Sequence, residues 1–141
     1  MATWSDVRRI VRTLPDTDEK TSHGTAAWTV HGKSFAWERP LRKSDFEALG
    51  EDAPRGAILG VRTDGLEMKE ALLQSDPAVF FTTPHFDGYP AVLVVLGKIS
   101  KPALRDLLVE SWLSRAPKRV ADAFLASKGG KAVSRSAAAE G

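Results

Sequence analysis

The sequence predicts an α+β fold in which an antiparallel sheet is covered on one face by helices. Three observations predict it. Short apolar or alternating runs of strand length recur: AAWTV, SFAWE, AILGVR, VFFT and AVLVVL. Between them lie amphipathic stretches with helix-start signals. Their order is helix, hairpin, short helix, strand, helix, two strands, two helices, which suits a layered α+β sandwich. No internal repeat at solenoid spacing is present.

Thr3-Trp4-Ser5-Asp6 reads as a capping box, and Trp4, Val7, Val11 and Leu14 then share one helical face. Leu14-Pro15 ends that helix, and polar Pro15 to Gly24 reads as a loop. AAWTV and SFAWE flank His31-Gly32-Lys33, where the glycine permits a tight hairpin turn. Trp28 and Trp37 are expected as cross-strand neighbours within it. Ser44-Asp45-Phe46-Glu47 reads as a second capping box, with Gly50 as the stop. AILGVR is a strand, and Asp64-Gly65-Leu66-Glu67 opens a helix that ends near Ser75. Val79 to Thr82 is strand-like. The Ala91 to Leu96 run suits a central strand buried on both faces. Ser100 caps a helix with Pro102 in its first turn and Leu104, Leu107, Leu108 and Trp112 on one face. Ala116-Pro117 restarts the chain into a last helix bearing Val120, Ala121, Phe124 and Leu125.

The chain has 141 residues, the size of one domain, which is assigned to residues 1–126. Residues 127–141 are rich in glycine, serine, alanine and lysine and read as a disordered basic tail. No cysteine is present, which removes disulfides, thiolate metal sites and cysteine nucleophiles. No apolar run is long enough to span a bilayer, and the N-terminus has no apolar signal stretch. A cytoplasmic protein with no membrane partner is expected. Net charge is +2, but the part from Lys98 onward holds nine basic and four acidic residues. Such a basic third faces either phosphate, an acidic partner or plain solvent.

The densest polar chemistry is FFTTPHFDGYPAVLVV, Phe80 to Val95. Gly88 with Pro84 and Pro90 is turn chemistry. His85 and Asp87 point the same way if the backbone there is extended. Asp87 is expected to bind backbone N–H groups within the turn, and His85 to be exposed. A catalytic use requires a further base or nucleophile beside the pair, and the sequence supplies none, so no catalytic residue is assigned. The three histidines, His23, His31 and His85, lack metal-ligand spacing, so no metal is expected. GxGxxG is absent, and GKS at Gly32 to Ser34 lacks the upstream glycine of a P-loop. Lys118 and Arg119 lie in the first turn of the last helix, where cations oppose the helix dipole. A bound phosphate would account for them, and so would solvation beside Asp122.

FFTTPHFDGYPAVLV, the following amphipathic helix, APKR, GKSFAW and the opening Trp4, Val7 and Leu14-Pro15 resemble the MmcQ/YjbR-like family over about Trp4 to Leu125. The chain departs from that pattern at Gly24-Thr25-Ala26, where a proline is expected after the glycine. The resemblance implies a compact fold like the frataxin-like CyaY arrangement. It also implies a double-wing architecture and a presumed DNA-binding role. Iron binding is not carried over with the fold, because the first helix bears Arg8, Arg9 and Arg12 rather than an acidic ridge. The expected function is thus a non-enzymatic, cofactor-free DNA-binding protein. Lys33, Lys98, Lys101, Arg105, Lys118 and Arg119 would contact phosphates, with the turns at Gly32 and Gly88 as wing tips. The alternative is a small-ligand or protein-interaction module whose pocket at the Pro84–Pro90 corner is lined by Trp37, His85, Asp87 and Tyr89.

Overall fold

The computed structural model describes residues 2–127. Helix α1 (Trp4–Arg12) leads into β1 (Thr17–Ser22), β2 (Thr25–Val30) and β3 (Lys33–Glu38). Helix α2 (Lys43–Leu49), β4 (Ile58–Arg62) and α3 (Gly65–Ser75) follow. The chain then forms β5 (Phe80–Phe81), β6 (Ala91–Val95), α4 (Lys101–Arg115) and α5 (Lys118–Ala126). The six strands make one sheet in the order β1-β2-β3-β4-β6-β5, and every neighbouring pair is antiparallel. The tail assigned to residues 127–141 lies outside the described residues, apart from Ser127.

Local chemistry explains most boundaries. Thr3 caps α1: its hydroxyl accepts from the Asp6 N–H at 3.3 Å, and Asp6 accepts from the Thr3 N–H at 2.9 Å. The Ser100 hydroxyl likewise accepts from the Ala103 N–H at the start of α4. Gly50 closes α2 with φ +67°.

Three expectations need correction. Pro15 to Gly24 is not a loop, because Thr17–Ser22 pairs along its whole length with β2. A polar strand is stable there because it is a sheet edge, with one side open to water. Helix α2 begins one residue after Arg42 rather than at Ser44, because Asp45 accepts from the Arg42 backbone N–H at 2.8 Å. Trp28 and Trp37 are not neighbours on one face. Trp28 pairs with Ala36, and Trp37 pairs with Ala27, so the period of two sends the indoles to opposite faces.

The two faces of β6 show how the layers divide. Val92 and Val94 join α1, α4 and α5 residues, including Val7, Leu108, Trp112 and Phe124, in the main core. Ala91, Leu93 and Val95 face the other way and pack with Ile58 and Phe86, against Trp37, Leu41 and Phe81. All five β6 residues are buried, and β6 sits between β4 and β5, as a continuous apolar run requires. The second face of the sheet is therefore roofed only in part, by the corner at 84–90 and the segment around Leu41. What remains open there becomes the site.

Candidate functional site

The corner is built from backbone bonds. Residues Pro84–Phe86 form one 3₁₀ turn, in which the Asp87 N–H donates to the Pro84 carbonyl at 3.2 Å. The Tyr89 N–H donates to the Phe86 carbonyl at 3.0 Å, and Gly88 takes φ +73°, a conformation that disfavours side chains. Asp87 was expected to tie this turn together with its carboxylate. The structure contradicts that: among the described residues, the carboxylate makes no hydrogen bond. The Phe86, Asp87 and Tyr89 N–H groups are taken instead by the carbonyls of Thr83, Pro84 and Phe86. The turn is also not extended, so His85 and Asp87 lack the alternate-residue alignment expected of them. His85 is exposed and meets the Phe86 ring edge-on at 4.9 Å.

The tie comes from α3. Lys69 is only 7% exposed, and its Nζ donates to the Phe86 carbonyl at 2.6 Å and the Tyr89 carbonyl at 2.8 Å. Burial pushes its pKa below the ordinary lysine range, while the charges of Asp87 and Glu70 partly oppose the shift. Sequence reading missed this lysine. The available signal was a lysine between Met68 and the apolar pair Leu72-Leu73, in a helix just before the corner. Arg62 adds an outer brace: its Nη1 donates to the Tyr89 hydroxyl at 3.0 Å, and its Cζ lies 5.0 Å from that ring's centroid.

On the facing wall, Trp37 lies flat against β4. Gly60 is its register partner, and a Cβ there would come within 2.4 Å of the Trp37 Nε1. Glycine at that place is a packing requirement, since its backbone φ is ordinary. Arg39, 7% exposed, bonds Asp45 at 3.0 Å and the Pro40 carbonyl at 2.6 Å, and its Cζ lies 5.4 Å from the Phe86 ring. Burial raises the Asp45 pKa, but the Arg42 backbone N–H and the Arg39 guanidinium outweigh it and hold the carboxyl below its ordinary range. Glu38 turns sideways to accept from the Ala26 N–H at 2.8 Å.

These walls enclose a cleft of about 640 Å³. Trp37, His85, Asp87 and Tyr89 all border it, together with Arg39 and Arg42. None of the six residues assigned to phosphate contact does.

Those six are spread out. Lys33 follows the His31-Gly32 turn, and His31 reaches Asp16 at 2.8 Å, beyond the C-terminal end of α1. Lys98 sits near the other end, where the Ala2 N–H donates to the Leu96 carbonyl. Lys118 bonds Asp122 at 2.8 Å, which raises its pKa, and Arg119 borders a small depression beside Pro15 and Phe124. Only Lys101 and Arg105 come together. With Arg9 they rim a depression of about 460 Å³ whose floor includes Ile10 and Pro102. Asp6 partly neutralises it, at 2.7 Å from Arg9 and 3.8 Å from Lys101. Arg9 was not among the six; the sequence marked it only as one of three arginines on the first helix.

The YjbR family model matches residues 12–114. The chain belongs to the YjbR family. The match runs from the end of α1 almost to the end of α4, so it takes in every element that borders the cleft. Proteins named uncharacterised, Mb2600 of Mycobacterium bovis and Rv2570 of Mycobacterium tuberculosis, are each 54% identical to it over 132 residues, covering 92% of this chain and all of theirs. The crystal structure of Deinococcus radiodurans protein DR2400, with its DUF419 domain, matches this YjbR protein with a TM-score of 0.59. That likeness covers 80% of this chain and 78% of the other at 24% identity, and it is a likeness of fold. Among the described residues of this YjbR protein, no helix is long and apolar enough to cross a membrane, and no group of three or more metal-ligating side chains occurs.

Proposed function

We propose that this YjbR-family protein is a non-enzymatic small-ligand-binding module, with its ligand held in the cleft between the 84–90 corner and the Trp37 wall. One observation carries the reading. Side chains from two distant segments, Trp37 with Arg42 and His85 with Tyr89, border one concavity of a size suited to a small organic molecule. Its walls are pre-organised by Lys69, Arg39 and Gly60, so little ordering cost falls on binding. Binding rather than catalysis is supported by His85, whose imidazole has no carboxylate partner among the described residues to set its tautomer. The test is a small-molecule fragment library followed by amide and indole N–H chemical shifts. Shifts clustering at Trp37 and residues 84–90 are expected. Hits that scatter over the surface, or gather elsewhere, refute the reading.

A second reading, DNA binding, has one observation in its favour: the cationic rim of Arg9, Lys101 and Arg105. In that reading phosphate contacts supply affinity with little sequence preference. Fluorescence anisotropy with short duplex DNA at two salt concentrations tests it. Affinity that falls steeply with salt and weakens in Lys101→Ala/Arg105→Ala supports it. No binding at low salt rules it out.

A further inference from the structure

The polar groups of the cleft are not equally satisfied. Of its two carboxylates, one is hydrogen-bonded and the other is unbonded but offset by a buried charge. Glu38 accepts from the Ala26 N–H, and Asp87 lies in the field of the buried Lys69 ammonium. The buried Arg39 guanidinium is spent on Asp45 and the Pro40 carbonyl. The donors are left over. Three of the four tryptophans show the contrast. Trp28 Nε1 donates to Glu19 at 2.8 Å and Trp112 Nε1 donates to the Pro15 carbonyl at 3.0 Å. Trp37 Nε1 has no acceptor among the described residues. The Arg42 guanidinium is exposed and forms no ion pair among them, because Asp45 is taken by Arg39. The His85 ring nitrogens are likewise unpaired. Free donors of this number, set against one exposed carboxylate whose charge the Lys69 ammonium offsets, are complementary to an acceptor-rich ligand.

The apolar part of the same lining is flat and aromatic. Trp37 is laid against the sheet by the missing side chain at Gly60, and Tyr89 is 44% exposed across the cleft and steadied by Arg62. Flat surfaces of this kind favour stacking with a planar ring. From these two features together we infer that the cleft takes a planar aromatic anion. Its ring lies on Trp37, and its carboxylate, sulfonate or phosphate group is met by the Arg42 guanidinium and the Trp37 and His85 N–H groups. This rests on the small-ligand reading above and narrows it to a ligand class.

The probe is 1-naphthyl phosphate, titrated into the full-length protein and followed by the indole N–H resonances, with 1-naphthol and inorganic phosphate as controls. The expected result is a saturable shift of the Trp37 indole N–H, assigned by its loss in Trp37→Phe, with the Trp28 and Trp112 indoles unmoved. Affinity should exceed that for either control at least tenfold. Arg42→Gln should weaken it about tenfold with the fold retained, because the α2 start keeps the Arg42 backbone N–H and Asp45 keeps its Arg39 partner. Gly60→Ala should displace the indole and weaken naphthyl phosphate and naphthol alike. Naphthol binding as tightly as its phosphate overturns the anion requirement, and inorganic phosphate binding as tightly overturns the ring requirement. No Trp37 shift with any of the three overturns the inference as a whole. If library fragments still gather in the cleft in that case, the small-ligand reading stands without it; if they do not, both fall.

Discussion

Replacing Lys69 with methionine isolates what holds the corner. Methionine keeps the length and apolar stem of the lysine but donates nothing. The Phe86 carbonyl then loses its 2.6 Å donor and keeps only the Tyr89 N–H at 3.0 Å. The Tyr89 carbonyl keeps the Ala91 N–H at 2.8 Å. A hydrogen bond from a charged donor is worth about 1.5–3 kcal/mol, and methionine offsets part of the loss by removing the desolvation of the ammonium. A net loss of about 2 kcal/mol follows. With a urea slope of about 2 kcal/mol/M, the midpoint should fall by about 1 M at an unchanged slope. Hydrogen exchange adds a local readout, since the Asp87 and Tyr89 N–H groups bonded inside the turn should lose protection first. pH gives a third handle. Folding depresses the Lys69 pKa, so the unfolded chain holds that proton more tightly. The cost is full below the folded pKa and is relieved as pH rises through it toward the ordinary lysine value. Wild type should therefore gain stability relative to Lys69→Met in that alkaline window. A methionine variant whose midpoint moves by less than about 0.3 M, with the turn amides still protected, would refute the bracing role.

Asp45→Asn leaves the Arg39 guanidinium buried without its charge partner and should cost about 3 kcal/mol by chemical denaturation. The Asp45 carboxyl is depressed in the folded state, so its contribution is present above the ordinary carboxylate pKa and lost as pH falls through the lowered one. Acid titration of stability should thus be shallower in Asp45→Asn than in wild type. Thr3→Ala removes the side-chain cap of α1 and should lower stability by about 1 kcal/mol, read as a thermal shift of a few degrees. Tyr89→Phe removes the hydroxyl that Arg62 reaches. It should leave the denaturation midpoint within error, because both groups are at the surface.

The helices were legible because their signals are local. Thr3 with Asp6, and Ser100 with Pro102, lie within one turn of the N–H groups they serve. Strand β6 was legible because burial on both faces leaves no polar residue in it. Strand β1 was not, since TDEKTS carries no apolar alternation and its stability comes from pairing with β2. A signal existed: His23-Gly24 repeats the His31-Gly32 dipeptide, and all four residues take positive φ, as two-residue hairpin turns require. Within the site, the sequence could nominate Trp37, His85, Asp87 and Tyr89 by residue type. It could not show that Gly60 seats the indole, because that depends on the β3–β4 register. Lys69 was hidden for a similar reason. Its partners are main-chain carbonyls 17 and 20 residues away, and carbonyls carry no sequence signature.

The strand order also carries a timetable. Strands β1, β2 and β3 follow one another through two-residue turns, so their pairing requires closing only short loops and can begin on the microsecond scale. The β4–β6 ladder encloses α3, β5 and the corner, and the Trp112 indole must find the Pro15 carbonyl across 97 residues. These distant closures cost more chain entropy before any contact rewards them. The N-terminal hairpins should therefore form ahead of the central ladder. The open side of the sheet acquires its second wall only when β6 docks, which makes the cleft one of the last parts of the molecule to exist.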